Sequence, residues 1–183
     1  RSSDLRNLRY TWEMLRVAPG RRGLVGINTS LPNDIVAEAI SAGQVPELDG
    51  YAGIRREVLY GENSGIDLLL ERDGAPPCFV EVKNVHLQRR AGVAEFPDSV
   101  TARGAKHLRE LAAVARVGGR AVMFYLVQRG DCESFALAGD IDPDYAAGFK
   151  EAGKSGVEAL CYDCQLGEGE IRLARRLPFE MPD

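Results

Sequence analysis

Residues Arg120-Ala121-Val122-Met123-Phe124-Tyr125-Leu126-Val127 form a nearly continuous apolar run with no alternation. Successive side chains of a strand point to opposite faces, so a strand with one wet face alternates. An unbroken run instead predicts a strand buried on both faces, inside a parallel or mixed sheet with layers above and below. The preceding segment agrees. Ser99 to about Val117 places Leu108, Leu111 and Ala115 at helical spacing and is stopped by Gly118-Gly119. A helix there returns the chain over the sheet between parallel strands.

The remaining elements are read around that unit. Arg9-Tyr10-Thr11-Trp12-Glu13-Met14-Leu15 alternates, turns through Ala18-Pro19-Gly20-Arg21-Arg22, and meets Gly23-Leu24-Val25-Gly26-Ile27, which predicts a hairpin. A hairpin does not fold alone. It either packs on the elements C-terminal to it or closes a β-rich unit whose earlier strands are absent from this chain. Asn33 is expected to cap a helix over Asp34 to Ala42, stopped by Gly43. Strands come next at Ile54 to Tyr60, Ile66 to Leu70 and Cys78 to Lys83, with turn chemistry at residues 61–65 and 72–77. The stretch with Gly92 and Pro97 reads as a loop. Asp142-Pro143 opens a third helix to about Lys154, and strands are expected at Val157 to Tyr162 and at Glu170 to Leu173.

With 45% hydrophobic residues, 183 residues suffice for one ordinary domain or one with a small appendage. The formal net charge of −4 excludes a general polyanion-coating protein, so any nucleic-acid contact must be local. No apolar run approaches the roughly 20 residues that span a bilayer, and the first residues lack a hydrophobic signal core. A cytoplasmic protein without membrane contact is expected. Cys78, Cys132, Cys161 and Cys164 are scattered, as suits a reducing compartment. Cys161-Tyr162-Asp163-Cys164 has the look of half a metal clip, but a structural zinc site needs four converging ligands.

Chemistry concentrates at Asp67 and, after a gap of thirteen residues, Glu81-Val82-Lys83, at two adjoining strands of one hairpin. Glu81 and Lys83 share a strand face and Val82 points the other way. Mg²⁺ takes one or two protein carboxylates and keeps several waters, so Asp67 and Glu81 suffice, with the Val82 carbonyl as an extra ligand. Mn²⁺ serves the same oxygen set. Lys83 is placed to orient or deprotonate a water, or to stabilise charge on a phosphoryl group. The competing reading is an ordinary cross-strand ion pair on an exposed sheet face.

The order helix, three strands, helix, strand around Gly65-Ile66-Asp67 and Glu81-Val82-Lys83 resembles the PD-(D/E)XK nuclease superfamily, without the proline that often precedes the Asp. Many members carry an acidic residue on the first core helix. Glu38 matches it and joins Asp67, Glu81 and Val82 as an implied metal ligand. Tyr10-Thr11-Trp12-Glu13, Gly26-Ile27-Asn28-Thr29, Ile54-Arg55-Arg56-Glu57-Val58, Val80-Glu81-Val82-Lys83-Asn84-Val85, Phe96-Pro97-Asp98 and the segment Arg103 to Leu111 together resemble the sugar fermentation stimulation protein A family.

That resemblance implies an OB-like β-barrel followed by a nuclease-like domain, here residues 1–30 as the last barrel strands and 31–183 as an α/β mixed sheet flanked by helices. It also implies DNA as partner, with regulation of sugar-metabolism genes without cleavage as the alternative to hydrolysis. Arg103, Lys106 and His107, at i, i+3 and i+4, share a helix face that is expected to meet DNA phosphate. Gly104 beside them would let a neighbouring backbone come close, with a solvated basic face and Gly104 packed against a strand as the alternative. Gln128 and Arg129 read as a polar strand end. Trp12 is expected in core packing, with base stacking as its alternative. The residues imply no particular oligomeric state, and a homodimer is allowed.

Overall fold

The structure is a computed structural model and describes residues 11–17, 23–60 and 64–180. Arg1, Arg6, Arg9, Tyr10 and the turn residues 18–22 and 61–63 lie outside them.

The chain runs β1 (Met14–Arg16), β2 (Leu24–Gly26), α1 (Pro32–Ser41), a one-turn helix (Pro46–Leu48), β3 (Gly53–Tyr60), β4 (Ser64–Glu71), β5 (Cys78–Val85), β6 (Leu87–Arg90), β7 (Gly92–Phe96), α2 (Ala102–Arg116), β8 (Arg120–Val127), β9 (Cys132–Leu137), α3 (Pro143–Lys154), β10 (Glu158–Leu166), β11 (Ile171–Arg176) and β12 (Phe179–Glu180). A six-stranded mixed sheet has the order β11-β10-β8-β5-β4-β3. Its centre, β5, β8 and β10, is parallel, and β4, β3 and β11 add antiparallel edges.

The apolar run of β8 serves two cores. Val122, Phe124 and Leu126 pack with α1 through Ile35, Val36, Ala39 and Ile40. Ala121, Met123, Tyr125 and Val127 pack on the opposite face with Leu108, Leu111 and Ala112 of α2 and Tyr145 of α3. At 0% exposure along residues 121–127, this strand is the two-sided element that its sequence predicts. Gly118, at φ +87°, makes the left-handed turn that lets α2 return into β8.

Part of the expected order is corrected. The stretch around Gly92 is no loop: β6 and β7 join β9 and β12 in a second sheet of order β12-β9-β7-β6. Trp12 is 78% exposed, so it packs in neither core. The β1–β2 hairpin packs on the segment just after β8, with Gly26 N donating to Gln128 O at 2.9 Å and Gly130 N to Leu24 O at 3.1 Å. Asn33 does not cap α1, whose cap position is Leu31 with no side-chain bond. Gln128 is buried and donates to Asn84 Oδ1, and Arg129 pairs with Asp131. Among the described residues no helix is long and apolar enough to cross a membrane.

Cys161 and Cys164 lie three apart on β10 and enter opposite cores, so they cannot close on one metal. Burial pushes the Cys78 and Cys164 thiols up to about 12, and Cys132 and Cys161 are raised by the same cause. All four are buried. Native protein at pH 8 should therefore release no thiol to a chromogenic disulfide reagent on the mixing timescale, and all four on denaturation. Rapid native labelling would contradict this packing.

Gly104 approaches a helix rather than a strand. A Cβ there would lie 2.8 Å from Thr101 Cγ2, 3.0 Å from Thr101 Oγ1 and 3.0 Å from Tyr145 Cε2. Thr101 Oγ1 is the cap that accepts from Gly104 N at 2.9 Å. Gly104→Ala gains roughly 1 kcal/mol of helix propensity, yet overpacking costs about 1–3 kcal/mol and the cap is strained with it. A net loss of about 1 kcal/mol in urea unfolding is expected, and a stabilised variant would show that α2 and α3 are less tightly apposed.

Candidate functional site

Asp67 and Glu81 come together because β4 and β5 separate at that point. Their ladder runs Leu70–Cys78, Leu69–Phe79, Leu68–Val80 and then stops. Bonded rungs recur every second residue, so Val82 would supply the next one. Its amide instead donates to Asp67 Oδ2 at 2.8 Å. The other oxygen, Oδ1, accepts from Asn33 Nδ2 at 2.9 Å, which brings the first turn of α1 into the site. One donor on each oxygen leaves Asp67 with spare lone pairs. In an extended strand the N–H and C=O of one residue leave the same edge, so the Val82 carbonyl emerges on the Asp67 side.

Glu81 is 2% exposed and faces the α2 core. Its Oε1 accepts from Lys83 Nζ at 2.7 Å and is bonded to His107 Nδ1. Its Oε2 is buried and has no partner among the described residues. A buried carboxylate oxygen without a donor is costly, and a cation is the usual complement. Burial pushes the Glu81 carboxyl up, but the His107 and Lys83 hydrogen bonds and the charge of Lys83 more than offset it and hold it below its ordinary value. Asp67 moves the other way. Burial first, and then the charge of Glu81, hold its carboxyl above the ordinary value against the Val82 amide and Asn33.

The face expected for Arg103, Lys106 and His107 is split. His107 is 4% exposed and lies between Gly104, Leu108 and Leu111 on the buried stripe of α2, turned onto Glu81 rather than toward solvent. Arg103 is exposed and reaches back to His107, with Nε 3.4 Å from Nε2. Lys106 is half exposed and pairs with Glu110 at 3.6 Å. The sequence does carry a signal for His107, since position 107 belongs with Leu108 and Leu111 in the helical repeat.

Glu38 is corrected more strongly. It is exposed and lines a groove with Glu13, Asp34 and Glu170 that contains none of Asp67, Glu81 and Lys83. On α1 it is Asn33, five residues earlier, that reaches the site.

Tyr60, at the end of β3, is an addition that residue order does not predict. Its hydroxyl is buried without a partner among the described residues. Burial, then the charges of Glu110, Glu81 and Asp67, raise its phenol strongly. Nothing in the sequence around Tyr60 separates it from any other strand aromatic.

Among the described residues no three His, Cys, Asp or Glu side chains converge in a metal-holding group. The donor set is two carboxylates and a backbone carbonyl beside an ammonium. That set suits a hard cation that keeps much of its water, and not zinc or an iron–sulfur cluster.

Known proteins share this architecture. The family model described as the sugar fermentation stimulation protein RE domain matches residues 30–170. The sugar fermentation stimulation protein homolog of Paramagnetospirillum magneticum is 56% identical over 182 residues, covering 100% of this chain and 75% of the relative. The homolog of Rhodospirillum centenum is 58% identical over 172 residues, with 94% and 72% covered. The structure of Pyrococcus furiosus SfsA in complex with Ca²⁺ superposes with a TM-score of 0.81 at 29% identity, over 92% of this chain and 77% of that one.

Proposed function

This chain belongs to the sugar fermentation stimulation protein family, and from that premise we propose that it binds DNA and hydrolyses its phosphodiesters at a Mg²⁺- or Mn²⁺-dependent centre. The observation that carries the reading is the pair of carboxylates: Glu81 Oε2 is buried and has no partner among the described residues, while Asp67, bonded but not saturated, stands at the same break in the sheet. Asp67, Glu81 and the Val82 carbonyl would hold the cation. The Pyrococcus furiosus relative, solved with Ca²⁺, supports a divalent cation in this fold. On the same reading the larger sheet is of PD-(D/E)XK nuclease type, residues 31–183 form that domain, and the β1–β2 hairpin is the end of an OB-like unit.

Bound there, a divalent cation would polarise a phosphodiester and acidify a water. The side chains do the rest. Lys83, with its ammonium on Glu81 Oε1, keeps a positive charge where charge develops on the phosphoryl oxygens. Asn33 and the Val82 amide fix the Asp67 carboxylate, so its free lone pairs keep one direction. Arg103, exposed, and Lys106, half exposed beside Glu110, meet the flanking phosphates from the first turns of α2.

The test is to incubate linear, nicked and branched DNA with Mg²⁺ or Mn²⁺, using the parent, Asp67→Ala and Lys83→Ala. Cleavage by the parent alone is expected. A parent that cuts nothing, or variants that cut equally, would end the hydrolytic reading and leave DNA binding to stand on its own measurement. That measurement is affinity against salt, where a flat dependence argues against phosphate contact by Arg103 and Lys106.

A further inference from the structure

We propose that His107 is the positioning residue of this centre, selecting which oxygen of Glu81 is left for the cation. The inference rests on the cation-site reading and adds to it a part that the Asp and Glu-x-Lys pattern does not contain.

The geometry assigns the proton. Arg103 Nε can only donate, and it lies 3.4 Å from His107 Nε2, which is therefore the acceptor. The ring proton then sits on Nδ1 and is donated to Glu81 Oε1. Lys83 Nζ, 3.4 Å from Nδ1, makes its short bond to the same oxygen instead, at 2.7 Å. Two donors thus occupy Oε1, and among the described residues none occupies Oε2.

Lys83 alone could not hold that arrangement. Its Nζ sits on a flexible stem anchored two residues away on the same strand, so it can follow the carboxylate through a rotation. His107 comes from another element and is packed into the α2 stripe at 4% exposure. A rotation of the Glu81 carboxylate would leave its buried Nδ1–H without a partner. Ligand carboxylates held by such outer partners lose about 10- to 100-fold in metal affinity when the partner is removed. The same ring gives Arg103 a fixed anchor, so a residue placed at the surface for phosphate is tied through one imidazole to a cation ligand.

The experiment is calorimetric titration of the full chain with Mn²⁺, comparing the parent, His107→Asn and His107→Gln, each first shown to unfold cooperatively. An asparagine amide places its N–H close to the position of Nδ1, and a glutamine amide reaches the position of Nε2. Both are polar and of similar size, so a loss of fold would not separate them. The Asn variant should bind within a few-fold of the parent and the Gln variant about 10- to 100-fold more weakly. Equal affinities for the two, or the reverse order, would overturn the role of His107. A parent that binds no Mn²⁺ would overturn the cation site itself, and this inference with it, whereas normal binding in the parent and both variants removes only the positioning role.

Discussion

Asp142→Ala is expected to lower the unfolding free energy by about 3 kcal/mol, because one buried carboxylate holds the first turns of two helices. Asp142 is 2% exposed. Its Oδ1 accepts from Tyr145 N at 2.9 Å and so caps α3. Its Oδ2 accepts from Thr101 N at 2.8 Å, at the residue that caps α2. Loss of a helix cap costs about 0.5–2 kcal/mol, and a hydrogen bond to a charged group contributes about 1.5–3 kcal/mol. Both are lost at once here, and two buried amides remain without acceptors. For a chain of this size the melting temperature should fall by roughly 10 °C. Asp142→Asn, which keeps one acceptor, should fall between. Urea unfolding checks this, and an alanine variant within 1 kcal/mol of the parent would show that α2 and α3 are not coupled through this side chain.

Lys83→Ala should be comparably destabilising without divalent cation, and largely rescued with it. Lys83 and Glu81 form an ion pair at 15% and 3% side-chain exposure. Removing one partner of a buried pair costs about 3–5 kcal/mol, because the other charge stays behind in low dielectric. His107 keeps its bond to Glu81 Oε1, so the lower end of that range is expected. A cation on Asp67 and Glu81 would replace the missing charge, and at a hundredfold excess over its Kd it returns about 2.7 kcal/mol. The measurement is denaturant unfolding of parent and variant in EDTA and in Mn²⁺. If the variant matches the parent in EDTA, the pair contributes nothing. If Mn²⁺ stabilises neither protein, Asp67 and Glu81 do not bind it.

The two predictions differ in how far they could be read from residue order. Asp142-Pro143 is a local signal, and the cap and the helix to Lys154 both stand as predicted. The second bond of Asp142, to an amide 41 residues away, is not local and has no sequence signature. Lys83 and Glu81 share a face because strand periodicity is local. That the face is buried, and is completed by His107 from α2, comes from packing alone. The β6, β7, β9 and β12 sheet is not legible in the sequence because its strands are short and pair across long separations, with β7 running beside β9 and β9 beside β12.

Backbone and side-chain periodicity therefore suffice for the sequence by itself to determine the two-sided strand β8, the helices around it, and the placing of Asp67 on one strand and of Glu81 and Lys83 on the strand beside it, although all three lie within β4 and β5 rather than at their ends. Tertiary structure alone decided that Asn33 reaches Asp67 while Glu38 lines a separate groove, that His107 turns inward, and that Glu81 keeps one oxygen without a donor among the described residues. The reason is physical: a period of two or 3.6 says which residues share a face, but which face meets which neighbour depends on contacts between elements far apart in the chain.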